Sequence, residues 1–347
     1  MLYVTTRSKN DPQTTPKALC ADRGTDGGLY VPFQMNVYSA DQIAELKDRS
    51  FGQCIADSLN QFFGCKLSAA DVDFTIGRFP VKITSMNHRI LIAETWRNVM
   101  RDYDRTEQAL AALVCSNLGC SVMRTSWLKI AIRIAVLFGV FAELMRTGAV
   151  SAAQKIDVSV PTMDFSVPMS VWYARYLGLP IGNIICSCNE NSGLWELLHL
   201  GEMHTDCVVV NTTTPMADMA VPTELERLIH AVGGMNAALQ FVSVLEKHRI
   251  YRPNEELAAQ LKKGMFSAVV SRSRLDALIP SVYRTNSYIL GAYSALAYGG
   301  LMDYRAKTGQ TRSALILSDR SPICDQQIVA DAMRMSPAQL TEELAKM

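Results

Sequence analysis

Residues 155–191, KIDVSVPTMDFSVPMSVWYARYLGLPIGNIICSCNEN, place two short apolar runs on either side of a helical pattern. Residues 158–161 and 183–188 are apolar and β-branched enough for buried strands. Between them, residues 169–177 carry Trp172, Tyr173 and Leu177 and stop at Gly178, which predicts a helix. Strand, helix and strand in this order make a βαβ unit and hence a parallel sheet. The loop after the first strand, residues 162–168, is then expected to face a ligand crevice.

The rest of the chain supplies further elements. Residues 3–7 predict a strand, and Asp26-Gly27-Gly28 a tight turn before another at residues 29–32. Ser39 with Gln42, Ser68 with Asp71, and Ser336 with Gln339 read as capping boxes that open helices. Phe51, Cys54, Ile55, Leu59 and Phe62 keep helical spacing up to Gly64. The apolar run 130–144, broken only by the charges of Arg133 and Glu143, is too short to cross a bilayer and is expected to be a buried helix. No internal repeat or flexible linker stands out.

With 347 residues, 49% of them hydrophobic, the chain can bury a large core. Thirty-four basic and 33 acidic residues leave a net charge of +1, which gives no general attraction to nucleic acid or acidic membranes, and neither is expected as a partner. Nine scattered cysteines and an N-terminus without an apolar signal core lead to the expectation of free thiols in the cytoplasm. Cys186, Cys188, His199, His204 and Cys207 do not have the spacing of a zinc module, so no metal site is expected. The four tryptophans, Trp96, Trp127, Trp172 and Trp195, are read as core anchors.

YVTTR at residues 3–7, DGGLYVP at 26–32 and FFG at 62–64 resemble the amino-terminal domain of threonine synthases. These are pyridoxal-phosphate enzymes of the tryptophan-synthase-β-like fold that convert O-phosphohomoserine to threonine. The resemblance continues at residues 126–133, 158–166, 178–181, 189–191 and 212–228, and more loosely from 252 onward. It implies an α/β fold with a threonine-synthase-like N-terminal layer and a parallel-sheet large domain with helices on both faces. The implied divisions are an N-terminal domain at 1–95, a remnant of the small domain at 96–125, and the large domain at 126–347.

The same resemblance exposes departures. The family's Schiff-base lysine falls on Arg101, and its His-Gly-Pro-Thr on Glu94-Thr95-Trp96-Arg97. Guanidinium, with a pKa above about 12, does not give up the proton that attack on the cofactor aldehyde requires. Between residues 102 and 155 the isolated Gly119, Gly139 and Gly148 cannot form the family's glycine-rich turn, so the small domain is expected to be largely deleted. The phosphate-cradling Gly-Asn-Phe-Gly corresponds to Met163-Asp164-Phe165-Ser166, which has no glycine and adds a carboxylate. At contact distance in water that carboxylate repels a phosphate by roughly 1 kcal/mol. Asp164 or Ser166 is instead expected to cap the following helix.

Asp319 occupies the position near the family's pyridine nitrogen, and Lys129 that of its substrate-phosphate arginine. Arg97, Arg101, Lys129 and Arg320 are candidate anion ligands, or else partners of Glu94, Asp102 and Asp319. No catalytic residue and no bound pyridoxal phosphate are expected. Three readings stay open: a non-catalytic binding, regulatory or scaffolding protein that self-associates or joins another protein; a repurposed enzyme for an anionic substrate; and residual threonine synthase activity.

Overall fold

The computed structural model describes residues 1–78, 80–98, 100–121 and 125–346. Residues 99 and 122–124, within the expected remnant 96–125, lie outside them. The chain opens with a small antiparallel sheet in which β1 (Leu2–Thr5) lies between β2 (Gln13–Thr14) and β3 (Tyr30–Pro32), with α1 (Thr15–Leu19) after β2. Gly27, at φ 74°, supplies the turn residue ahead of β3.

Helices α2 (Ala40–Ala44), α3 (Phe51–Phe63) and α4 (Ala69–Ile76) each begin at a serine. Ser39, Ser50 and Ser68 accept the N–H groups of Gln42, Gln53 and Asp71, and the first and third are reciprocal boxes, as the sequence predicts. On α3, Cys54, Ile55, Leu59, Phe62 and Phe63 form the buried face, and Gly64 ends the helix in the left-handed region.

An antiparallel hairpin follows, β4 (Lys82–Met86) and β5 (Ile90–Glu94). Next come α5 (Tyr103–Leu118), capped by Asp102, and α6 (Ser126–Arg146), the buried helix expected around residues 130–144. The βαβ unit is present as β6 (Ile156–Pro161), α7 (Ser166–Tyr176) and β7 (Ile181–Cys188), with β6 and β7 parallel.

The chain continues through α8 (Gly193–His199), β8 (Met203–His204), α9 (Leu225–Lys247), β9 (Ile250–Tyr251), α10 (Glu255–Lys262), β10 (Met265–Val269), α11 (Arg272–Asn286) and α12 (Ala292–Thr308). It ends with β11 (Ala314–Ser318), α13 (Gln326–Met333) and α14 (Pro337–Ala345), the last opened by the Ser336–Gln339 box. By length and composition α9 could cross a membrane, but Gly234 (φ 78°) breaks it and its first turn carries the buried Glu226 and Arg227.

The central sheet runs β10-β7-β6-β11-β5-β4, parallel throughout except for the edge strand β4. Its edge hairpin therefore comes from residues before 95, because β5 pairs with β11. Period-two alternation sends Leu91, Ala93, Ile184, Cys186, Leu315 and Leu317 to one face and Ile90, Ile92, Ile185, Ala314 and Ile316 to the other. On the first side α7 packs on β6 and β7, with α3 and α6 sharing the same core; on the second α12 packs on β6, β7, β10 and β11, with α11 and α13 sharing its core. Between β5 and α6 the described residues hold one helix, α5, and no strand.

The start of α9 joins the N-terminal layer to the large domain. Arg227 is fully buried, donates to the Tyr30 carbonyl at 2.8 Å and pairs with Glu224; Glu226 pairs with Arg7 at 3.0 Å. Of the tryptophans, Trp127 is buried in the core, while Trp96, Trp172 and Trp195 are half-buried.

Candidate functional site

In a parallel sheet the crevice lies at the carboxyl ends of the strands, here where β5, β6 and β11 run out into residues 94–98, 162–165 and 319–321. Glu94, the last residue of β5, is 1% exposed. Its carboxylate accepts the Tyr288 hydroxyl at 2.7 Å and pairs with Arg97 Nε at 2.7 Å. Burial, then the neighbouring Glu94 charge, pushes the Tyr288 hydroxyl well above its ordinary value, so it stays a donor.

Beside this pair lies the contact that fills the crevice. Arg133, projecting from the middle of α6, forms an ion pair with Asp319 just after β11. Thr95 Oγ1 donates to the other Asp319 oxygen at 2.6 Å, and the Arg133 guanidinium lies 4.2 Å from the Tyr103 ring centre. Burial works against the Arg133 charge, but Asp319, Tyr103 and Glu107 together hold its pKa above the usual arginine value. The signal available in the sequence was a charge inside an apolar helix, since an ion there needs a partner; that partner lies 186 residues away.

What remains is a cavity of about 30 Å³, lined by Tyr103, Arg133, Met163, Met216, Asp319 and Arg320 among others. That is about the space of a single water molecule. No lysine lines it among the described residues.

The loop before α7 is equally closed to a phosphate. Asp164 Oδ1 accepts the Ser166 N–H at 2.9 Å and also the Ser166 hydroxyl, so the donor at the helix entry is already used. Asp164 meets the first helical N–H through a turn, while the N-cap residue itself, Phe165, makes no side-chain cap bond. Pro168 has no N–H to offer. Met163 (φ 46°) and Phe165 (φ 72°) sit in the left-handed region, so the backbone there has a conformation that favours glycine while Met163 places a side chain against the crevice. Pyridoxal phosphate does not fit this site: the space is too small, no lysine faces it among the described residues, and the Ser166 N–H is occupied.

Of the four candidate anion ligands, only Arg320 lines the crevice. Arg97 is held by Glu94, Arg101 is exposed with φ 54°, and Lys129 is half-buried on α6. Arg320 lies 3.7 Å from Asp325 and 5.6 Å from the Tyr293 ring centre. Asp319 pairs with Arg133, a residue the sequence did not single out as a site. Tyr103 and Tyr288 also carry no local sequence signal, because their roles come from packing across the crevice. Cys186 and Cys188 are buried strand thiols, His204 pairs with Glu196 at 3.0 Å, and no group of metal-capable side chains converges among the described residues.

Residues 2–78 match the family model described as the threonine synthase N terminus. Human threonine synthase-like 1 is 25% identical over 177 residues, covering 50% of this chain and 24% of that protein. The Corynebacterium glutamicum threonine synthase is 29% identical over 116 residues, covering 33% of this chain and 21% of that protein. The chain thus spans about a quarter of the length of these curated relatives. Among solved structures, the pyridoxal-phosphate-bound threonine synthase of Brucella melitensis superposes with a TM-score of 0.84 at 18% identity, covering 99% of this chain and 94% of that one. The yeast enzyme gives 0.81 at 15% identity, covering 99% and 94%. At these identities the superpositions establish the fold. The chain is similar to threonine synthases: residues 2–78 match the model of the threonine synthase N terminus, and the fold superposes on threonine synthase structures along nearly the whole chain.

Proposed function

We propose that this chain is a catalytically inactive threonine-synthase-like protein that works as a binding, regulatory or scaffolding subunit. The observation that carries this reading is the crevice itself, occupied by the Arg133–Asp319 pair and lined by no lysine among the described residues. An aldehyde cofactor needs an amine that can lose its proton, and the side chains gathered here are guanidinium, carboxylate, phenol and thioether. Arg101 at the position of the family lysine agrees with this.

Exposed apolar side chains support association with a second copy or another protein in the cytoplasm. Phe74 is 94% exposed and Val208 90% exposed, the first on α4 and the second in the loop after β8. A second reading, binding or turnover of a small anion at the crevice mouth, is favoured by Arg320, whose buried Nε has no acceptor among the described residues.

The inactive reading is tested by incubating the protein with pyridoxal phosphate and O-phosphohomoserine and following phosphate release. No release above the protein-free rate is expected. Turnover that tracks the protein concentration and is abolished by denaturation would overturn it.

A further inference from the structure

At the end of the sheet opposite the crevice, where β6, β7 and β10 begin, lies a cavity of about 600 Å³. Three cationic side chains line it, Lys155 just before β6, Arg175 in the last turn of α7, and Lys263 just after α10. Gly178, Gly182 and Gly264 bring backbone to its wall. No carboxylate lines it among the described residues, and none of the three cations forms an ion pair there.

Arg175 carries the most information. Its Nη1 donates to the carbonyls of Gly182 (3.2 Å) and Gly264 (2.7 Å), which fixes the guanidinium across the strand entries. Its Nε and Nη2 make no hydrogen bond to described residues. Burial pushes its pKa below the ordinary arginine value, as expected for a cation without a counter-charge. The nearby Asp157 does not supply one, because it is committed to Arg312 at 2.9 Å and the Asn183 N–H at 2.7 Å. The carboxyl ends of α7 and α10 contribute about half a negative charge each. Three whole positive charges outweigh that.

We propose that this cavity binds a small phosphate-bearing anion held by Arg175, Lys155 and Lys263, at the end of the sheet remote from the closed crevice. A planar fork with free donors suits a phosphate face, and two flexible ammonium groups at the rim can close on the remaining oxygens. The site does not depend on whether the crevice is active.

The test is calorimetric titration at low ionic strength with inorganic phosphate and, separately, O-phosphoserine. Variants are Lys155→Gln/Lys263→Gln, whose side chains are exposed and make no hydrogen bond or ion pair with described residues, and Arg320→Gln at the crevice. Saturable binding of one anion per chain is expected, weakened about ten-fold for each cation removed and unchanged in Arg320→Gln. Tighter binding of O-phosphoserine than of phosphate would identify a phosphoester as the occupant, and equal binding a free phosphate. Absence of saturable binding, or binding that survives the double lysine change, overturns the proposal. Loss in Arg320→Gln alone would move the anion to the crevice and overturn it equally, whatever the outcome of the turnover assay.

Discussion

Replacing Arg133 by methionine tests whether the crevice is a packed part of the fold. The substitution keeps the length and apolar stem of the side chain but removes the charge, leaving Asp319 with the Thr95 hydroxyl as its remaining partner. Breaking a fully buried pair by removing one member costs about 3–5 kcal/mol. Here the side chains are 11% and 20% exposed, so water partly replaces the lost partner. A cost of about 2–3 kcal/mol follows, including the lost contact with the Tyr103 ring. Asp319→Leu should cost a similar amount by stranding the guanidinium, whereas the double change removes both charges and should cost about 1 kcal/mol or less. Urea unfolding followed by tryptophan fluorescence measures all three proteins and closes the cycle. Single variants within about 0.5 kcal/mol of wild type, or a double variant as costly as the two singles together, would refute the picture of an ion pair plugging the crevice.

Gly178→Ala should destabilise the protein by about 2–3 kcal/mol, because alanine is strained at φ 116° and its methyl carbon would lie 2.9 Å from the Tyr38 carbonyl oxygen; an unchanged unfolding midpoint would show that the βαβ unit is not held against the N-terminal layer there. The hydrogen bond that His204 Nδ1–H donates to the Glu196 carboxylate raises the His204 pKa above its ordinary value of 6.5. A raised value in the folded state means that this contribution is complete below about pH 6.5 and is lost as pH rises through the raised value. Proton NMR should find the His204 ring titrating above its unfolded value, and His204→Gln should flatten stability against pH in that window.

Local chemistry explains what could be read from the sequence. The boxes at Ser39, Ser68 and Ser336, the stops at Gly64 and Gly178, and the βαβ unit each depend on residues within a few positions of one another. The Arg97–Glu94 pair, three residues apart, was legible for the same reason. Contacts between distant segments were not. The β4–β5 hairpin enters the large sheet only because β11 arrives from the far end of the chain. Asp319 had Arg320 as its apparent neighbour, yet it turns to Arg133 across the crevice. The cationic cavity is likewise assembled from residues before β6, at the end of α7 and before β10, three places with no common motif.

The central proposal is that this chain, whose fold is that of threonine synthase structures, does not hold pyridoxal phosphate. The most direct measurement is incubation of the native protein with pyridoxal phosphate, reduction with borohydride, and peptide mass spectrometry. Scattered, substoichiometric labelling of exposed lysines is the expected result. One pyridoxyl group per chain on a single crevice lysine, formed in the folded protein and lost on unfolding, would contradict the account.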